Sequence, residues 1–208
     1  LGAIKTVSLR GSGSSRTLLL IDGMPISSSQ NSSFDLSGVP VGILNNIEIV
    51  RGGASAIFGG NAIGGAVNLR TDIIPNQVAN FTLSAGSFGE ISTSASGGAK
   101  IGEIFSSLNV NYTKTDGDFD FIYNEFGVNK SVRRINSDYR DFNVSMSVST
   151  VRENWKHWVR ILLTNTNKGV PGAVLQGTLD ESSDRSKDNR LIFLANTSYI
   201  FKSNSMLN

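Results

Sequence analysis

Beyond residue 75, apolar and polar residues alternate with a period of two, which confines that part of the chain to β-strands with one apolar and one polar face. In residues 141–150, Phe142, Val144, Met146 and Val148 fall on one face, and Asp141, Asn143, Ser145, Ser147 and Ser149 on the other. Residues 104–114 repeat the pattern, with Ile104, Leu108, Val110 and Tyr112 opposing Ser107, Asn109, Asn111 and Thr113. Residues 80–85 do the same with Phe81 and Leu83. The polar faces carry Ser, Asn and Thr, whereas a soluble sandwich meets solvent with Lys, Glu and Arg. Uncharged polar faces suit the inside of a closed barrel, and a soluble β-sandwich is the competing reading.

Strands are expected at about 78–86, 91–99, 104–115, 139–151, 156–167 and 190–201. The connections at 100–103 and 152–155 are tight turns, and those at 116–138 and 168–189 are long and polar. Short turns at one end and long loops at the other mark outer-membrane barrels. About six strands cannot enclose a separate domain, because a plugged lumen needs about 22. The chain opens at Leu1 without an initiator Met or signal peptide and closes without a distinct signal, so it is expected to be a fragment at both ends.

Before residue 75 the texture differs. Residues 17–22 (TLLLID) form an apolar run ending at Gly23, and residues 46–51 (NIEIVR) and 66–71 (AVNLRT) are further strand candidates. Residues 54–58 read as one helical turn between glycine pairs, so residues 1–74 are expected to form a small mixed α/β domain. Ser27, Ser28, Ser29, Gln30, Asn31, Ser32 and Ser33 form a polar loop between two of the strands.

Composition removes several chemistries. Without cysteine there is no disulfide, thiol nucleophile or Cys-based zinc site, and with His157 as the single histidine there is no His cluster. No nucleophile is paired with a base, so an enzyme is not expected. A net charge of +2, with no block of like charges, gives no electrostatic footprint for nucleic acid. No apolar run reaches the ~18 residues of a transmembrane helix, but a barrel strand needs only about 9–11. The glycine cluster from Gly59 to Gly65 lacks the Lys and Ser or Thr of a phosphate loop, since Ala66 follows it. Its glycines more simply permit positive φ and close packing.

Family resemblance enters through motifs in the first segment. Ser8-Leu9-Arg10-Gly11, then Arg16-Thr17-Leu18-Leu19-Leu20-Ile21-Asp22-Gly23-Met24-Pro25-Ile26, then Ile47-Glu48-Ile49-Val50-Arg51-Gly52-Gly53-Ala54-Ser55-Ala56-Ile57-Phe58-Gly59 and Asn61-Ala62-Ile63-Gly64-Gly65-Ala66-Val67-Asn68-Leu69 resemble, in order and spacing, the plug domain of TonB-dependent outer-membrane receptors. The narrower style is closest to cobalamin and siderophore receptors. The resemblance implies a mixed α/β plug domain over residues 1–74. Residues 75–208 would then be the first antiparallel transmembrane strands of a 22-stranded plugged barrel in the bacterial outer membrane.

It also implies active uptake of a large, scarce nutrient, a ferric siderophore or cobalamin, energised by the partner TonB, with outer-membrane lipid around the barrel. A signalling or binding receptor of the same fold, or a soluble β-rich binding module, are the alternatives. The loop from Ser27 to Ser33 is expected to face the extracellular cavity and contact ligand. Arg10 and Arg51 are expected to lock plug to barrel through carboxylates of wall strands that this chain does not include, a task that suits the planar guanidinium; solvated strand-end charge is the other reading. No cofactor is expected beyond calcium, for which Asp116, Asp118 and Asp120 are candidate ligands; a solvated extracellular loop is the other reading. Trp155, Trp158 and Tyr139, near strand ends, fit an interfacial girdle or single core positions, and His157 is read as structural.

Overall fold

The computed structural model describes residues 5–27, 34–36, 39, 41–51, 62–71, 79–175, 178–179 and 182–200. The first part holds a four-stranded sheet made of β1 (Thr17–Ile21), β2 (Met24–Ile26), β3 (Leu44–Val50) and β4 (Gly65–Thr71), in the order β2-β1-β4-β3. β1 and β4 run parallel, while β2 and β3 flank them antiparallel. Two 3-10 turns, η1 (Ser14–Arg16) and η2 (Val41–Ile43), precede β1 and β3. The helical turn expected over residues 54–58 lies outside the described residues.

β2 adds a strand that the apolar pattern does not signal. It pairs with β1 because Asp22 and Gly23 both adopt positive φ (50° and 84°), the geometry of the tight turn that Asp-Gly favours. β1 is buried along its whole length, as its continuous apolar run predicts. β3, a strand as its sequence predicts, is not central as the apolar residues from Ile47 on suggest. It is an edge strand, and Ile47 and Ile49 stand about half exposed.

The second part is a six-stranded antiparallel meander. It comprises β5 (Asn80–Ala85), β6 (Ile91–Ile101), β7 (Ile104–Thr115), β10 (Tyr139–Arg152), β11 (Trp155–Gly169) and β14 (Arg185–Tyr199), in the order β14-β11-β10-β7-β6-β5. Two-residue turns, Gly102-Glu103 and Glu153-Asn154, join strands at one end. The connections at 86–90, 116–138 and 170–184 stand at the other. The 116–138 connection, expected as a plain polar loop, contains a separate hairpin of β8 (Phe119–Glu125) and β9 (Val128–Arg134). β12 (Val174–Leu175) and β13 (Thr178–Leu179) form a short ladder in the last one.

The meander is inside out. On β10, Asn143, Ser145, Ser147 and Ser149 are 3–5% exposed, while Phe142, Met146 and Val148 are 45–50% exposed. Strand register carries the outward set sideways, so Val110, Val144, Leu163 and Leu191 lie in one row and Leu108, Met146, Ile161 and Phe193 in the next. On β7 and β10 the inward set is largely polar, with Ser107 and Ser147 hydroxyls 2.5 Å apart across the pair. Against this inward face sits the four-stranded sheet. Leu19, Ile21, Ile26, Val67 and Leu69 form one core cluster with Trp158, Leu162 and Leu194 of the meander. Leu18, Leu20, Ala62 and Ala66 form a second cluster.

Candidate functional site

The junction between the two sheets is organised by one carboxylate. β1 delivers Asp22 at the end of its buried run, where its backbone N–H donates to Leu69 O at 3.0 Å. The Asp22 side chain is fully buried. It accepts hydrogen bonds from the Thr71 backbone N–H (2.9 Å) and the Thr71 hydroxyl (2.7 Å), both at the end of the parallel neighbour β4. Its third donor crosses from the meander: Arg160 Nη1 of β11 lies 2.9 Å from Asp22 Oδ2 and also donates to the Thr71 hydroxyl. The Arg160 side chain is 2% exposed. An ionised carboxylate is tolerated in such a place only when donors replace its lost hydration, and a guanidinium with two further N–H and O–H donors does so.

The network extends sideways through the plug sheet. Gly23 N–H donates to Asn68 Oδ1 (2.9 Å), Asn68 Nδ2 donates to Glu48 Oε2 (2.8 Å), and Arg70 Nε lies 3.6 Å from Glu48. Trp158 and Leu162 flank Arg160 on the inward face of β11 and exclude water from the pair. Nearer the long-loop end, Arg190 of β14 stacks over the Phe34 ring at 4.7 Å, donates to Asp35 O at 3.0 Å and pairs with Asp188 at 2.7 Å. Pro25, Ile26, Ser27, Phe34, Arg190 and Leu191 border a cavity of about 530 Å³ beside this contact.

At the loop end itself, Asp138 and Arg185 form a two-pronged pair, with N–O distances of 3.0 and 2.7 Å. The Arg185 hydrogen bonds hold the Asp138 carboxyl below its usual range, against the opposing pull of partial burial.

The residues singled out from sequence fall in different places. Ser27 is exposed at the end of β2, on the border of the cavity, whereas Ser28, Ser29, Gln30, Asn31, Ser32 and Ser33 lie outside the described residues. Arg10 and Arg51 are exposed and form no ion pair with a described carboxylate. The charge that crosses the described junction runs the other way, from a wall arginine to a plug aspartate. Sequence reasoning missed Arg160, although a signal was present: it is a lone charge at inward parity between Trp158 and Leu162.

Asp116, Asp118 and Asp120 are not gathered into a centre. Asp116 is exposed after β7, Asp118 lies 3.9 Å from Arg133, and Asp120 is exposed on β8. No group of three carboxylate or imidazole side chains is placed to hold a metal among the described residues. Trp158 belongs to the junction core and Tyr139 is buried on the inward face, so neither sits in an outward girdle. Trp155 does face outward, stacked on His157 at 6.2 Å and edge-on to Tyr199 at 5.0 Å.

The comparisons agree with this architecture. Residues 2–66 match the family described as TonB-dependent Receptor Plug Domain. The chain is 32% identical over 158 residues to the vitamin B12 transporter BtuB of Photobacterium profundum, covering 74% of this chain and 25% of that protein. To BtuB of Vibrio vulnificus it is 40% identical over 70 residues, 34% of this chain and 11% of the relative. The chain thus spans at most a quarter of the length of these relatives. The siderophore receptor PiuA from Acinetobacter baumannii shares the fold, with a TM-score of 0.65 at 18% identity, over 98% of this chain and 30% of that one. A plug sheet seated against the polar inner face of an inside-out meander, with the plug family's motifs on its strands, places this chain among the TonB-dependent receptors.

Proposed function

We propose that the protein to which this chain belongs takes up a large, scarce nutrient, cobalamin or a ferric siderophore, across the bacterial outer membrane with energy delivered by TonB. The observation that carries the reading is the pairing of an outward apolar face with a plug anchored to the polar inward face through Asp22 and Arg160. An apolar belt outside and a plugged polar lumen are what a gated outer-membrane transporter requires. The names of the relatives supply the nutrient classes.

In this reading the two-residue turns face the periplasm and the 116–138 and 170–184 connections face outward. The polar segment from Ser27 to Ser33 then opens toward the extracellular side and offers hydroxyl and amide groups to a ligand. Arg10 and Arg51 serve as additional plug-to-wall contacts.

The test is uptake of radiolabelled cyanocobalamin and of radiolabelled ferric siderophores by cells whose sole receptor is the full-length protein, with TonB present or deleted. Accumulation of one nutrient that requires TonB is the expected result. Equal accumulation without TonB, or none of either class, would overturn the proposal.

A further inference from the structure

The outward face at the two-residue-turn end departs from the apolar belt in a specific way. Arg140 and Arg152 bracket the belt on β10. At ~3.4 Å per residue they are roughly 40 Å apart along the strand, or about 30 Å along the membrane normal at a tilt of 35–45°. Arg152 therefore stands just beyond the edge of a hydrocarbon core, at head-group depth.

Register gathers its neighbours. Arg152 lies opposite Trp155, Trp155 opposite Tyr199, and the next outward row toward the belt is Ile104, Thr150, His157 and Thr197. Arg152 and His157 are thus diagonal partners on one face, a spacing of about 7–8 Å between backbones that long side chains close.

His157 is held on the outward face. Its Nδ1 lies 3.0 Å from the Thr197 hydroxyl, which leaves Nε2 as the ring nitrogen open to a ligand, and an anion there selects the tautomer in which the Thr197 hydroxyl donates to Nδ1 and Nε2 carries the proton. The parallel stack with Trp155 (9° between planes) fixes the ring, and Asn154 Nδ2 holds the Tyr199 hydroxyl at 3.0 Å. Arg152 is exposed and forms no ion pair among the described residues, although Glu103 and Glu153 occupy the adjoining turns. Immediately toward the belt, Ile104, Val148 and Val159 stand 39–52% exposed, an apolar strip continuous with the two donors.

We infer that Arg152 and His157 form a binding site for the phosphate of a phospholipid in the leaflet at the two-residue-turn end, with the Ile104–Val148–Val159 strip receiving an acyl chain. The inference rests on the membrane placement proposed above. A free phosphate would use the two donors but not the strip, and a neutral glycolipid would use the strip but not the donors.

The experiment is native mass spectrometry of the detergent-solubilised full-length receptor titrated with phosphatidylglycerol or with a galactolipid of the same acyl chains. Wild type should retain phosphatidylglycerol at least tenfold more tightly than the galactolipid. Arg152→Gln with His157→Phe should remove about tenfold of that preference, the scale of hydrogen bonds to a charged group. Heat-modifiable gel migration confirms that the variant is folded. Should it not fold, the comparison of two lipids on wild type still decides. Equal retention of both lipids by wild type, or unchanged phosphatidylglycerol retention in the folded variant, would overturn the site. Absence of adducts with either lipid would overturn the membrane placement beneath it.

Discussion

The plug sheet and the wall meander use the same residue types with opposite addresses. β1 places Leu18, Leu19, Leu20 and Ile21 in a core and compensates one charge at its end. β10 turns Phe142, Met146 and Val148 outward and buries serines and asparagine. Apolar residues leave water in both cases, into protein in the first and, in the membrane placement proposed above, into lipid in the second. Burial by protein therefore identifies the core of the plug and the polar face of the wall, and a rule that equates buried with apolar fails on half of the molecule. The two regions meet where both rules hold at once: Trp158 and Leu162 are apolar and inward because the plug, not water, covers them.

The largest effect should come from that meeting point. Arg160→Ala strands the Asp22 carboxylate in a closed core and should destabilise plug docking by about 3–5 kcal/mol. Arg160→Met combined with Asp22→Asn should recover most of the loss, because no unpaired charge is left buried and an amide at position 22 can still accept from the Thr71 N–H and bond the Thr71 hydroxyl. Protease accessibility of the plug in the full-length receptor reads both. Equal accessibility in wild type and Arg160→Ala would show that the wall holds the plug elsewhere.

The next effect tests the outward address. Met146→Arg, half exposed near the belt centre, should cost about 2–4 kcal/mol in a refolding titration into bilayers. In detergent-free buffer an exposed arginine would cost almost nothing, so a negligible cost in bilayers would mean that this face meets water. Ser145 is a poor inward control for an arginine, since it is buried opposite Leu162 under the plug.

A smaller effect is expected at the Ser107–Ser147 hydrogen bond. Ser147→Ala should lower wall stability by about 1 kcal/mol, measured in the same titration.

The smallest concerns pH. The Asp138 carboxyl is depressed in the folded state by Arg185, so its contribution is present above the ordinary carboxylate value of 3.8 and is lost as pH falls through the lower folded value. Both partners are partly exposed, so solvent screening keeps the contribution small. Amide protection in residues 182–187, taken relative to the intrinsic exchange rate at each pH, should therefore fall below about pH 4, and Arg185→Gln should abolish that step. A step of equal size in the variant would assign it to another carboxylate.

The wall was readable from sequence wherever a strand crosses the belt, because a period of two with one apolar face admits no other element. The expected 104–115 strand is β7 as found, and β6, β10 and β11 differ by only a residue or two at their ends. β14 begins at Arg185 rather than near residue 190, because its first five residues are polar and rise past the apolar belt. A reading based on hydropathy ends at the belt, while the hydrogen-bond ladder continues above it.

The β8–β9 hairpin was hidden by the same bias, since aspartates and asparagines masked the alternation of Phe119, Phe121 and Tyr123. In the plug, TLLLI declared β1, yet the similar-looking NIEIV became an exposed edge, because only pairing decides which strand is central. The Asp22–Arg160 pair was out of reach for a different reason. Its partners are 138 residues apart, and no local periodicity records a contact of that span.

That span also sets an order of assembly. Each pairing in the meander joins strands consecutive in the sheet's path, so the wall can zip together hairpin by hairpin through short closures. Bringing Asp22 to Arg160 closes a loop of 138 residues, with an entropic cost of roughly 4 kcal/mol if the intervening chain is still flexible. Once β5 to β11 are paired, most of that loop is already stiff and the remaining search is short. The plug should therefore dock onto a largely formed wall late in folding, and Arg160 substitutions should accelerate plug release far more than they slow the zipping of the strands.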